Sequence, residues 1–284
     1  MNRVPFDPGD LPPPLADEFA RWQRRADDAQ KLMEAQEATA SGGAPDPDVR
    51  AQVYRDHKTW LLKHIFADRC AYCQGDLAAQ TRGAAEHYRP KKGAIQVESN
   101  GSVTPCKGPD GQPHRGYWWL AYRWENLVPA CPDCNGPKDV RFPIEGERVY
   151  ARSEAPDVDA LDATEEPLLL HPFRGPDPAE HIGFGTDGRA FAKDGSEYGE
   201  RTIRTCELNR YGLVKDRKRR QEDAKTALVN ALMLQQETGR TIDDQMRRHD
   251  GPDAEYAQAV RDALAVHEGS TLEQLLSRKA RRER

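Results

Sequence analysis

The sequence predicts an α+β protein in which a cysteine-stapled unit is embedded in a mainly helical chain. Three observations lead there. Apolar residues recur at helical spacing near both ends, two C-x-x-C pairs bracket the middle, and two glycine-containing pieces beyond them suggest a small hairpin. The 284 residues are 31% charged and 37% hydrophobic, enough for one large or two modest domains carrying much solvated helix. No apolar run of about 18 residues is present to span a bilayer, and "MNRVPFDPGDLPPPLADEF" lacks the apolar core of a signal peptide. A cytoplasmic chain with no membrane partner is therefore expected. The net charge of −5 argues against a surface positive throughout, so nucleic acid would have to meet local basic patches.

Residues 1–66 read as an N-terminal helical region. In "LADEFARWQRRADDAQKLMEAQEATA", Leu15, Phe19, Trp22, Ala26, Ala29 and Met33 recur at steps of three and four, the stripe of an amphipathic helix. The linker "SGGAPDPD" ends it. A second helix runs through Val53, His57, Trp60, Leu61, His64 and Ile65 toward Cys70, and His57 and His64 on its apolar side read as packing residues.

Residues 67–146 contain the chemistry. Cys70/Cys73 ("CAYC") and Cys131/Cys134 ("CPDC") suggest one tetrahedral Zn2+, a structural site that four thiolates close completely. A redox reading would need a βαβ pattern around a pair, and neither pair has one. Cys106 and Cys206 read as small buried residues. Since 57 residues separate Cys73 from Cys131, something must fold between the pairs. That segment holds "AAEHYRPKKGA", which clusters Glu86, His87, Arg89, Lys91 and Lys92; its plain reading is a solvated turn, and its functional reading makes Arg89, Lys91 and Lys92 nucleic-acid contacts. Downstream, "WENLVPACPDCNGPK" adds Asn126, Asn135 and Lys138. Tyr117, Trp118, Trp119 and Tyr122 could stack on bases, but read better as core.

The arrangement "EH", "N" and "N…K", framed by two C-x-x-C pairs, resembles the HNH nucleases and their ββα-metal finger over residues 70 to 138. Over roughly residues 66 to 220 the chain resembles the HNH subunit of Septu-type and retron-associated anti-phage systems. The resemblance implies His87 as general base and Asn126 as the residue fastening its loop. It also implies Glu86 and Asn135 as oxygen ligands of a catalytic Mg2+ or Mn2+, with Lys138 near the phosphate. Here the acid is Glu where many members have Asp, and the last ligand is Asn where the family name has His. A separate ATPase subunit of the ABC or SMC-like class is the implied partner.

Residues 147–284 read as a mainly helical region with a small hairpin. "EAPDVDALDATEEP" reads as an acidic surface loop, and His171 and His181 as turn residues. "GFGTDGRAF" and "KDGSEYG" suggest the hairpin; no Gly-Lys-Ser/Thr follows, which excludes a phosphate-binding loop. From 201 to 225, nine Lys or Arg face four Asp or Glu. "KDRKRR", with Arg217, Lys218, Arg219 and Arg220, is thus the best candidate for a nucleic-acid backbone contact, against a solvated helix face. "AKTALVNALMLQQETG" and the stretch from "AEYAQAV" onward read as two helices parted by Gly251 and Pro252, and "SRKARRER" as a basic tail. The expected function is a metal-dependent nuclease acting on DNA or RNA in a defence complex. The alternatives are a zinc-bearing nucleic-acid-binding module and an ATPase-docking subunit, neither of which would cleave.

Overall fold

The computed structural model describes residues 1–39, 45–77, 83–154, 157–238, 241–268, 270 and 274–275. Helix α1 (Pro13–Thr39) buries Phe19, Trp22, Ala26, Ala29 and Met33, the stripe its sequence predicts. Helix α2 (Ala51–His64) lies against it. Trp22 Nε1 donates to the Val53 carbonyl at 2.8 Å, and the His57 ring stacks on Trp22 at 3.8 Å between centroids. His57 is 1% exposed, whereas His64 is half-buried and faces Glu18.

A strand, strand, helix unit follows. Strand β1 (Ala84–His87) is preceded by Gly83 at φ +61°, where a Cβ would stand 2.5 Å from the Ala130 carbonyl oxygen, so only glycine admits the opposite strand this closely. Strands β2 (Ile95–Val97) and β3 (Val103–Pro105) form an inserted antiparallel pair. Two short 3-10 turns then bury Tyr117, Trp118, Trp119 and Tyr122 as core. Strand β4 (Leu127–Ala130) pairs antiparallel with β1, setting Glu86 opposite Val128 and His87 opposite Leu127. Helix α3 (Pro132–Lys138) starts at a proline, whose fixed φ suits the first helical position.

Beyond it come α4 (Val158–Glu165), α5 (Pro178–His181), the antiparallel pair β5 (Ile182–Phe184) and β6 (Ala190–Ala192), and α6 (Glu197–Thr205). The chain continues through α7 (Tyr211–Thr238), α8 (Ile242–Asp250) and α9 (Ala257–Ala265). One apolar core runs from Phe19 and Leu61 through Tyr72, Leu127 and Phe142 to Ile182 and Leu208. Ala224, Ala231, Met246 and Val260 form a smaller core under α7, α8 and α9.

Several expectations are corrected here. The acidic strip after the finger is helix α4 rather than a loop: Asp157 caps its N-terminus by accepting from Ala160 N–H at 2.9 Å, and Val158, Leu161 and Glu165 form its buried face. The basic run "KDRKRR" lies inside α7, which extends back to Tyr211. Arg217 within that run is 1% exposed and donates to the Leu208 carbonyl at 2.6 Å, so it packs in the core and offers nothing to a phosphate. Arg220 is held by Glu255, while Lys218 and Arg219 remain on the surface. Helix α8 was not anticipated, and α9 is shorter than the periodicity suggested. Cys206 is buried as expected, but Cys106 is only half-buried. The linker at 41–44 and the tail at 277–284 lie outside the described residues. Among the described residues, no helix is long and apolar enough to cross a membrane.

Candidate metal centre and adjoining histidine site

Four thiols from two distant turns meet in one place. Cys70 and Cys73 sit in the turn that follows α2, while Cys131 and Cys134 bracket the start of α3. All four are buried, and their sulfurs lie within 4.8 Å of one another. Tetrahedral zinc with bonds of about 2.3 Å sets its sulfurs about 3.8 Å apart. The Cys73 and Cys131 sulfurs are 3.7 Å apart, so this pair already has the zinc spacing, and none of the six cysteines is in a disulfide. Donors surround the sulfurs as expected for thiolates. Gly75 N–H approaches Cys73 Sγ at 3.4 Å, and Cys131 N–H approaches Cys70 Sγ at 3.3 Å. The Arg210 guanidinium reaches Cys134 Sγ at 3.3 Å and Cys131 Sγ at 3.6 Å. Arg210 went unnoticed in the sequence because it lies 76 residues from Cys134 and looks like one more charge in a basic stretch.

The histidine site adjoins this cluster through β1 and α3. His87 is 5% exposed, and its Nε2 stands 3.0 Å from the Ala121 carbonyl oxygen. That contact places the ring hydrogen on Nε2 and leaves Nδ1 as the acceptor. Burial, with the charges of Lys91 and Lys138, lowers the His87 pKa to about 3, so the ring is neutral. The Tyr54 ring covers it edge to face at 5.0 Å. Asn126 ties the strand end: its Oδ1 accepts from Arg89 N–H at 2.7 Å, and its Nδ2 donates to the Arg89 and Leu120 carbonyls at 3.1 and 3.3 Å. Lys138 is wholly buried; its Nζ pairs with the Glu86 carboxylate and donates to the His87 carbonyl at 3.0 Å. Burial raises the Glu86 pKa while Lys138 opposes the rise.

Glu86 and Asn135 offer a carboxylate and an amide oxygen, donor chemistry suited to Mg2+ or Mn2+. One Glu86 oxygen is already engaged by Lys138, so an ion there would compete with an ammonium. Asn135 is half-buried in α3, where its N–H bonds the Cys131 carbonyl at 2.9 Å.

The basic residues near His87 divide into two kinds. Arg89 is 1% exposed, with Nε 3.0 Å from Glu165 and Nη1 2.8 Å from Asp162, so it is a buried structural cation and not a nucleic-acid contact. Lys91 and Lys92 sit nearer the surface, and both pair with Asp48, the former at 2.5 Å. The Asp48 side chain is 31% exposed; hydrogen bonds from Lys91, Lys92 and Tyr54 outweigh its desolvation and hold its pKa well below the usual carboxylate range.

Fold and site together define a mixed helix and small-sheet protein built around a four-cysteine centre compatible with zinc. The chain is similar to the Septu protein PtuB of Bacillus mycoides (strain KBAB4), with 36% identity over 183 residues that cover 64% of this chain and 57% of that relative. It is also 31% identical to the Septu protein PtuA of the same strain over 158 residues, which cover 55% of this chain and 20% of PtuA. The matched region thus spans little more than half of PtuB and a fifth of PtuA. No family model matches the chain, and no solved structure matches it.

Proposed function

We propose that this protein is the HNH-type nuclease of a Septu-type anti-phage defence complex, hydrolysing nucleic-acid phosphodiester bonds alongside a separate ATPase subunit. One observation carries the reading. On a strand, strand, helix unit, Lys138 from α3 closes onto Glu86 and the His87 carbonyl, Asn126 ties the chain just beyond His87, and the unit is stapled by four cysteines. The similarity to Septu proteins supports the defence context.

His87 Nδ1 takes the proton of the attacking water, while the Ala121 carbonyl holds the opposite ring nitrogen and fixes the tautomer. An entering phosphate adds negative charge beside the ring and raises its basicity from the low value of the closed site. Asn126 keeps the strand end in place, and Lys138 supplies a fixed positive charge beside Glu86. Glu86 and Asn135 would hold Mg2+ or Mn2+, which when bound supplies Lewis-acid neutralisation of charge on the phosphate. The zinc is structural and takes no part in the reaction.

The test is cleavage of plasmid DNA, single-stranded DNA and total tRNA with Mg2+ or Mn2+, comparing wild type with His87→Ala. Loss of activity by about 10²–10⁴-fold, with zinc content and circular dichroism unchanged, is the expected result. A second reading, a zinc-bearing binding module, is favoured by the ammonium already seated on Glu86 and the deep burial of His87. Under it both proteins bind nucleic acid and neither cuts, even with the ATPase subunit added.

A further inference from the structure

Arg217 carries its charge into the core with no carboxylate to meet it. It is 1% exposed, Nη1 donates to the Leu208 carbonyl at 2.6 Å, and the guanidinium lies over the Phe184 ring at 4.7 Å from its centroid. Nη2 is buried without a hydrogen-bond partner, and among the described residues no carboxylate stands within ion-pair distance. Arg89, equally buried, has two carboxylates, Asp162 and Glu165. Burial lowers the Arg217 pKa only to about 10, so the group is charged at neutral pH. A buried charge of this kind is costly unless something of opposite sign lies near it.

The surroundings of Arg217 supply that opposite sign. Against the burial, Cys73 favours its charged form most, followed by Tyr256 and Cys134. Tyr256 stands at the turn that carries Cys70 and Cys73: a Cβ on Gly75 would meet Tyr256 Oη at 3.1 Å and Cys73 Sγ at 3.4 Å. The loop before α9 is held to the same turn, since Tyr256 N–H approaches the Gln74 carbonyl at 3.4 Å and Asp76 N–H reaches Glu255 Oε1 at 3.3 Å. Glu255 in turn takes Arg220 Nε at 2.8 Å, about one helical turn beyond Arg217 on α7. A second guanidinium comes from the loop before α7, where Arg210 reaches Cys134 Sγ at 3.3 Å and Cys131 Sγ at 3.6 Å. Its carboxylate neighbour, Asp133, is 3.8 Å away and largely exposed. Four protonated thiols would leave neither guanidinium anything to neutralise, whereas a divalent ion held by four thiolates is a dianion.

We infer that Arg210 and Arg217 are the counter-charges of a zinc tetrathiolate centre, so that retention of the ion depends on residues well outside the cysteine pairs. The inference rests on the four-cysteine centre and is independent of the nuclease reading. Both arginines act through the ligands. Positive charge beside a thiolate lowers its basicity, which slows the protonation of sulfur that accompanies release of the ion. Loss of the ion with uptake of protons would leave Arg217 in the core without its counter-charge.

The test loads the full chain with Zn2+ or Co2+ and compares wild type with Arg210→Met, Arg217→Met and Arg217→Lys, taking Lys215→Met on the exposed side of α7 as the control. Zinc transfer to a chromogenic chelator should be at least about tenfold faster in both neutral arginine variants and unchanged in the control. Arg217→Lys, which keeps the charge, should release zinc more slowly than Arg217→Met. In the cobalt protein the thiolate-to-metal charge-transfer band should move to lower energy in the neutral variants, because sulfur with less positive charge beside it gives up an electron more easily. A role in packing alone leaves that band in place. Should Arg217→Met fail to fold, Arg217→Gln, which can still donate to Leu208 without the charge, takes its place. An unmoved band and unchanged release in Arg210→Met, or in the neutral Arg217 variant that folds, overturn the inference. So does Arg217→Lys releasing zinc as fast as the neutral variant, which would make shape rather than charge decisive, and so does a protein that takes up neither ion.

Discussion

Replacing Arg89 with methionine removes one half of an ion pair that is almost completely inside the protein: Arg89 is 1% exposed in its side chain and Glu165 0%. Glu165 would keep its bonds from Tyr117 Oη at 2.6 Å and Val149 N–H at 3.1 Å but lose its nearest cation. Asp162, a third exposed, would be rescued by water; Glu165 would not. Breaking such a pair from one side costs about 3–5 kcal/mol, a large share of the roughly 5–15 kcal/mol that holds a folded protein together. With a urea slope near the upper end of about 1–3 kcal/mol per molar, the midpoint followed by tryptophan fluorescence should fall by about 1–2 M. Adding Glu165→Gln to Arg89→Met should return part of that loss, because the stranded carboxylate is gone. An unchanged midpoint, together with weaker nucleic-acid binding and a salt dependence shallower by about one, would refute the structural role and restore Arg89 as a phosphate contact.

Other perturbations separate the metal centre, the basic surface and the buried histidines. Cys134→Ser should lose zinc and cooperative unfolding, since structural zinc contributes about 10–16 kcal/mol in small domains, comparable to total stability; soluble, zinc-free protein with full activity would sink the assignment, as read by metal analysis and thermal melting. Asp48→Asn releases Lys91 and Lys92 from their shared carboxylate, so filter binding should show higher affinity for nucleic acid and a salt slope steeper by up to about two; an unchanged slope would mean that neither lysine meets a phosphate. His57 has both ring nitrogens unpartnered, and burial lowers its pKa to about 3. The folded state therefore refuses a proton that the unfolded chain accepts below pH 6.5, and stability falls as pH drops from there toward 3, by about 3 kcal/mol at pH 4.5. His57→Phe should remove that part of the pH dependence in urea titrations at pH 8 and pH 4.5, and an identical slope in both proteins would place the acid sensitivity elsewhere.

What could be read in the sequence was what local spacing dictates. The cysteine pairs were legible because a tetrahedral site draws two ligands from each turn, and α1 was legible because its apolar stripe recurs along the chain itself. Arg89 misled because its partners lie 73 and 76 residues away, in a strip whose acidic composition hid the inward face of Val158, Leu161 and Glu165. Arg217 misled similarly: within a run of charges nothing marks the one residue that a helix turns inward. Asn126 was placed beside the histidine by resemblance, but its two-way clasp on the Arg89 backbone belongs to the folded chain.

The strand, strand, helix unit is too small to shape its own site, and the contacts say where the rest comes from. The His87 ring is covered by Tyr54 from α2 and hydrogen-bonded by the Ala121 carbonyl from the buried aromatic turns. Just past β1, Arg89 is anchored to α4, and the cysteine sulfurs of α3 are reached by Arg210 from the loop before α7. Helix α2, helix α4 and the loop before α7 thus reach β1, the chain just past it and α3, the elements that carry the candidate chemistry. A change at Glu165 or Arg210, neither of them part of the histidine motif, therefore acts on the chain beyond His87 or on the cysteine centre through packing and charge rather than through substrate. Helix α2 is a wall of the site, and any partner that shifts it would alter the cover over His87 without touching the motif itself.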